Sequence, residues 1–280
     1  MKGSHTAIRS RRVAVELRKL REKAELTCAE AGEKLGMSAS KISRIETAVS
    51  GIEVEDLAAL LGLYQVPERK RREVIRWLRA ADRGGWWRRQ PGLPTLWRSL
   101  IEFEARACHL RCYEAMFVPG LLQTADYARA VLRGINGALS DRQLDTLVAS
   151  RMARQAVLSR TDAPILVTLL DEGALRRPVG GEEVMSRQLR YLLEAAQRPN
   201  VLLRVVPLAA GAYAGFRGPF MILEFEGEPD LVYVENQSTG LFLEEDSDHS
   251  SYREALSNIL RVALAPTETA ELISALVEQG

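Results

Sequence analysis

The chain has 280 residues, 46% hydrophobic and 27% charged, which excludes a disordered polymer and leaves room for one large or two modest domains. It holds no run of about 18 apolar residues, no apolar core in "MKGSHTAIRSRR" and three cysteines, so no membrane-spanning helix, signal peptide or disulfide scaffold is expected, and a cytoplasmic protein is. The net charge of +1 is a cancellation: residues 1–90 hold 20 Lys+Arg against 12 Asp+Glu, and the remainder 18 against 25, the pattern of a nucleic-acid module joined to another domain.

The first segment, from Val13 to about Ala80, reads as helical throughout. Val13, Leu17 and Leu20 recur on one helix face. Thr27 caps a second helix, with Glu30 placed to complete a capping box. Ser38 caps a third, whose Ile42 and Ile45 point inward. Leu57, Leu60 and Leu61 mark a fourth. Between the second and third helices the spacing is that of a helix-turn-helix. Gly32 must be small where the two helices cross, Gly36 takes the tight turn, and Met37 packs inward. Ala39, Ser40, Lys41, Ser43 and Arg44 then face outward, with Ser38 at the helix start and Thr27 and Cys28 opening the helix before it. The basic run Arg69–Arg89 continues as an amphipathic helix. Its arginine-rich outer face offers phosphate contacts or is simply solvated.

"DRGGWWRRQPGLPTLW" (Asp82–Trp97) ends the helical pattern with paired glycines and two prolines. Its tryptophans argue for a strap packed on a second domain. This gives three parts: a DNA-binding domain over 1–81, the strap over 82–97, and a second domain over 98–280. In the last, Ile165–Leu170, Val201–Val206, Pro219–Phe225 and Leu231–Glu235 read as strands. Met185, Leu189, Leu192, Leu193 and Ala196 share a helix face between the first two strands. Helices also fit Ala125–Leu132, Leu144–Leu158, Tyr252–Leu264 and Glu268–Val277. The expected fold is an all-α amino-terminal domain followed by an α+β domain.

Two resemblances rest on these residues. "LTCAEAGEKLGMSASKISRIE" (Leu26–Glu46) resembles the helix-turn-helix of Cro/repressor-type (XRE family) domains. That resemblance makes Ser38–Glu46 the recognition helix, its amino end in the major groove of double-stranded DNA. By the same resemblance Ala39, Ser40, Lys41, Ser43 and Arg44 lie near bases or phosphates, Lys41 and Arg44 suit guanine edges or phosphate, and Glu46 suits a partner within the domain. Such domains often carry glutamine where this chain has Cys28 and Ala39, which makes readout weaker or more tolerant of A·T, or rests specificity on Lys41 and Arg44. "FVPGLLQTADYARAVLRG" (Phe117–Gly134), "DEGALRRPVGG" (Asp171–Gly181) and "RPNVLLRVVPLAAGAYAGFRGPFMILEF" (Arg198–Phe225) follow in an order similar to the domain of unknown function DUF5753. It typically stands behind such a helix-turn-helix in actinobacterial regulators. The resemblance implies a DNA-binding transcriptional regulator, a homodimer, and a small protein of the DUF397 type as a partner.

Other chemistry finds little support. The Ser-Lys dyad of autoproteolytic repressors lacks its base, because no lysine follows Lys70. "CHLRC" (Cys108–Cys112) has no second pair of ligands for zinc. The acids of "EEDSDHSS" (Glu244–Ser251) suit the positive end of the helix at Tyr252, with Ser247 or Ser250 as its cap. No enzymatic activity, metal or cofactor is expected. Arg176, Arg177, Tyr213, Phe216 and Arg217 are the candidate lining of a pocket for a ligand or partner. The competing expectation is an antitoxin-like protein whose second domain mainly holds a small partner protein.

Overall fold

A computed structural model describes residues 4–47, 50, 52–80, 93–236 and 240–279. The chain forms two compact units, Met1–Trp86 and Trp87–Gly280. Among the described residues no helix is long and apolar enough to cross a membrane.

The amino-terminal unit contains α1 (Ser4–Lys23), α2 (Cys28–Leu35), α3 (Ala39–Glu46), α4 (Val54–Leu63) and α5 (Glu68–Ala80). Its core joins the expected positions: Val13 and Leu17 of α1, Ile42 and Ile45 of α3, Leu57, Leu60 and Leu61 of α4, and Val74 of α5. Each set recurs at three- or four-residue spacing, so each helix buries one stripe and leaves its charged face in water.

The carboxyl-terminal unit is built on a six-stranded sheet in the order β3-β2-β1-β4-β5-β6. The strands are β1 (His109–Glu114), β2 (Ile165–Asp171), β3 (Val201–Val206), β4 (Phe220–Glu224), β5 (Leu231–Glu235) and β6 (Gly240–Leu243). β1, β2 and β3 are parallel, and β4, β5 and β6 form an antiparallel meander beside β1. The helices are α6 (Thr95–Glu104), α7 (Ala125–Ile135), α8 (Asp141–Arg154), α9 (Glu172–Arg176), α10 (Glu182–Ala196), α11 (Asp246–Val262) and α12 (Pro266–Gln279). Leu256 and Ile259 of α11 close one sheet face over Tyr113, Leu169, Phe220, Ile222 and Val232. The two parallel crossovers run in one direction, which places their helices together on the other face. The outer strand β3 is not left bare. Its Val205 N–H donates to Thr269 Oγ1 at 3.1 Å, and Val205 O accepts from Leu264 N–H at 2.8 Å.

The expected all-α domain followed by an α+β domain is the observed class, with differences of detail. The segment "HLRCYE" is strand β1 at the centre of the sheet, so the unit has two β-α-β crossovers rather than one. The strap expected over 82–97 falls mostly outside the described residues, and its end is helical: Pro94 sits at the cap of α6, which begins at Thr95. Helix α11 begins at Asp246, not at Tyr252, so Ser247 and Ser250 lie inside it rather than capping it. Asp246 and Asp248 still occupy its first turn, where the helix dipole favours acids.

Candidate nucleic-acid interface

The helix-turn-helix is set by local chemistry at each joint. Thr27 Oγ1 accepts from Glu30 N–H at 3.2 Å, and Glu30 Oε2 accepts from Thr27 N–H at 2.7 Å, a complete capping box at the start of α2. Gly36 closes α2 at φ 66°, a conformation that costs glycine nothing. A Cβ on Gly32 would lie 2.5 Å from the Met37 carbonyl oxygen, which is why that position admits no side chain. Ser38 Oγ accepts from Lys41 N–H at 3.1 Å and starts α3.

Helix α3 is then fixed from below. Ile42 and Ile45 are fully buried. Glu46 is buried too, and Arg21 of α1 grips it through two N–H groups, Nε at 2.9 Å from Oε1 and Nη2 at 2.8 Å from Oε2. The remaining arm of Arg21, Nη1, donates to Leu26 O at 2.7 Å. The hydrogen bonds it donates to Glu46 hold the Arg21 guanidinium above its ordinary range. Glu46 therefore has its partner within the domain, as its position in the motif suggests. Arg21 carries no motif signal and was not legible as that partner.

The opposite face of α3 is open. Ser38, Ala39, Ser40, Lys41, Ser43 and Arg44 are all exposed. Lys41 is not free, however: its Nζ lies 2.7 Å from Oδ2 of Asp56 in the first turn of α4. The Arg44 guanidinium has no partner among the described residues. At the start of α2, the Thr27 hydroxyl is committed to its cap. Cys28 is half-buried against the core with Sγ 3.9 Å from Glu46 Oε2, facing inward rather than toward solvent. Cys28 therefore acts as a small residue that fits. Basic residues of α5 are largely engaged within the unit. Lys70 Nζ is 3.2 Å from Glu16 and 4.7 Å from the centre of the Trp77 ring, Arg71 Nε donates to Val66 O at 2.8 Å, and Arg72 pairs with Glu68 at 3.6 Å. The outer part of that basic run, residues 81–89, lies outside the described residues.

Two family descriptions match the chain. Residues 12–74 match a helix-turn-helix domain, and residues 97–275, more than half of the chain, match the domain of unknown function DUF5753. The chain belongs to the DUF5753 family. Neither a curated protein nor a solved structure matches it. The helix-turn-helix match points to DNA as the partner of the amino-terminal unit.

The DUF5753 domain places its candidate pocket residues around the carboxyl ends of the parallel strands. Tyr213 donates to Asp171 Oδ2 at 2.5 Å and lies 2.7 Å from the Tyr113 hydroxyl, and Phe216 packs on its ring at 5.2 Å between centroids. Burial and the hydrogen bond with Asp171 hold the Tyr213 hydroxyl protonated far above the ordinary phenol range. Arg176 is drawn to Glu172 at 2.6 Å, which also accepts from Leu208 N–H at 2.8 Å. Arg177 and Arg217 are exposed. Thus Arg176, Tyr213 and Phe216 are linked through Asp171 and Glu172, whereas Arg177 and Arg217 stand apart from that chain of contacts.

Beneath the helical face lies a polar cluster that was not legible in the sequence. Glu104 of α6 and Arg154 of α8 form a buried two-pronged ion pair. Arg151 donates to Gln123 Oε1 at 2.8 Å and stacks 4.8 Å from the Trp97 ring centre. Burial and the neighbouring Arg154 bring its guanidinium down to about 10. Gly120 of the "VPGLLQT" motif lies against this cluster: a Cβ there would come 3.3 Å from Arg154 Nη1. Glu114, at the end of β1, has a buried carboxylate oxygen with no hydrogen-bond partner. Burial, and then the charge of Glu235, push its carboxyl up to about 8. The two thiols of "CHLRC" lie in extended chain, roughly 13 Å apart at ~3.3 Å per residue, too far to share one ion. Cys112 is buried, and burial pushes its thiol up to about 12. Among the described residues, no group of three or more His, Cys, Asp or Glu is placed to hold a metal ion.

Proposed function

We propose that the chain is a cytoplasmic, sequence-specific transcriptional regulator of the XRE type, from an actinobacterium, that binds duplex DNA as a homodimer. Helix α3 enters the major groove, with Ser38, Ala39, Ser40, Lys41, Ser43 and Arg44 on the DNA side and Thr27 at the adjoining helix start, where Cys28 turns to the core. The observation that carries this reading is the division of α3 into two faces. Ile42, Ile45 and the gripped Glu46 fix it from below, while every residue of the opposite face is exposed. A rigid helix with an uncommitted arginine is what base readout requires. Two such helices related by a two-fold axis would read half-sites about 34–36 Å apart. In this reading Arg44→Ala weakens binding to the specific site by about 1–3 kcal/mol and relaxes sequence preference there. Equilibrium binding to matched and mismatched duplexes checks it. Unchanged affinity and preference would overturn the role of Arg44.

We propose that the DUF5753 domain is a docking or sensing module without catalytic activity. A specific observation favours the antitoxin-like reading, in which it holds a small protein of the DUF397 type. Phe216, Leu208 and Met116 are 71%, 58% and 55% exposed near the same ends of the parallel strands, and Arg217, next to Phe216 in sequence, is exposed too. Large exposed apolar side chains beside arginine suit a protein interface. Purification from the native host, with Phe216→Ala alongside, tests it. A small chain retained by the parent and lost by the variant supports docking. A bound small molecule instead supports sensing.

A further inference from the structure

Helix α3 carries two cations outward, and the domain treats them differently. Arg44 has no partner among the described residues, whereas Lys41 is held by Asp56 across the gap to α4. The side chains of Lys41 and Asp56 are 49% and 29% exposed, so the pair sits on the surface that DNA would approach. Glu53 and Glu55, both exposed, add two more carboxylates at the same helix start.

Resting on the DNA-binding reading above, we infer that Asp56 is a positioning residue that withholds Lys41 from the phosphate backbone and so suppresses binding to DNA of any sequence. A lysine free to extend clamps any phosphate and displaces a counterion, and that electrostatic gain supplies essentially all non-specific affinity. An exposed ion pair is weak and can open. Opening this one leaves the Asp56 carboxylate facing a polyanion. Lys41 therefore counts for less than one phosphate contact. Arg44, which Asp56 does not touch, keeps its reach to a base edge. The result is a wider gap between specific and non-specific affinity. That gap matters for a helix whose early position is Ala39, which offers the bases only a methyl contact.

The test compares the full-length parent with Asp56→Asn, Lys41→Met, the double variant and Glu55→Gln. Each binds a random-sequence duplex over a series of salt concentrations. Asp56→Asn is expected to tighten binding about threefold or more at low salt and to steepen the log–log salt dependence by about one. Glu55→Gln removes an acid without freeing a lysine, and should leave the slope unchanged. In the Lys41→Met background, Asp56→Asn should add nothing to the slope. A parental slope in Asp56→Asn, or an equal rise without Lys41, would overturn the role of Asp56 while leaving DNA binding intact. Failure of the parent to bind any duplex would overturn the DNA-binding reading itself.

Discussion

At Gly32 a single added carbon would meet the Met37 carbonyl oxygen at 2.5 Å, and that oxygen belongs to backbone that cannot step aside. Gly32→Ala should therefore destabilise the amino-terminal unit by about 1–3 kcal/mol, as overpacking does elsewhere. Urea unfolding of the variant should show a lower midpoint. An unchanged midpoint would mean that α2 and α3 cross less closely than the geometry states. Gly32, Gly36, Ser38, Ile42 and Ile45 were legible in the sequence because each answers a local demand of one tight turn. Asp56 was not, because nothing in "GIEVED" distinguishes the acid that reaches Lys41 from Glu53 and Glu55. Only the packing of α4 beside α3 selects it. Glu114 and Glu104 were hidden for a similar reason: a glutamate at the end of an element reads as surface until a neighbouring arginine helix covers it.

Helices and strands were legible where one period dominates. Val13 and Leu17, or Leu57, Leu60 and Leu61, needed no tertiary information to be placed. β1 was missed because "HLRCYE" alternates apolar with charged residues in a central strand, where an unbroken apolar run is the usual mark. Arg111 is tolerated there because Glu224 of the neighbouring β4 accepts from its Nε at 3.0 Å. β6 is not legible in the sequence because four residues carry no readable period. Between elements, the Arg21–Glu46 pair ties α1 to the end of α3. Arg21→Met would strand a buried carboxylate and should cost about 3 kcal/mol. Adding Glu46→Gln to Arg21→Met should recover much of that loss, since the stranded charge is then gone. Denaturant unfolding of the two variants and the parent checks this. Equal stability of the parent and Arg21→Met would show that the pair does not hold the recognition helix.

For the whole molecule, the polar cluster makes stability depend on pH in a definite direction. The Glu114 carboxyl titrates at about 8 in the folded chain. Its unfolded value is ordinary, about 4.3. Between those values the folded chain holds a proton that the unfolded chain has lost. Stability from this group is thus greatest below about pH 4 and declines until about pH 8, by up to about 1.4 kcal/mol per pH unit. Glu114→Gln removes the titration. Its melting temperature relative to the parent should rise steadily from pH 5 to pH 8, and a difference independent of pH would contradict the assignment. The same scale holds the central claim, that a basic helix-turn-helix unit ahead of an acidic DUF5753 domain directs the chain to particular sites on DNA. Fragmented genomic DNA of the host, incubated with the full-length protein and with Arg44→Ala at two salt concentrations, tests this most directly when the bound fragments are sequenced. A shared inverted repeat should be recovered by the parent at both salts and lost in Arg44→Ala. Recovery of unrelated fragments by both proteins, vanishing together as salt rises, would contradict it.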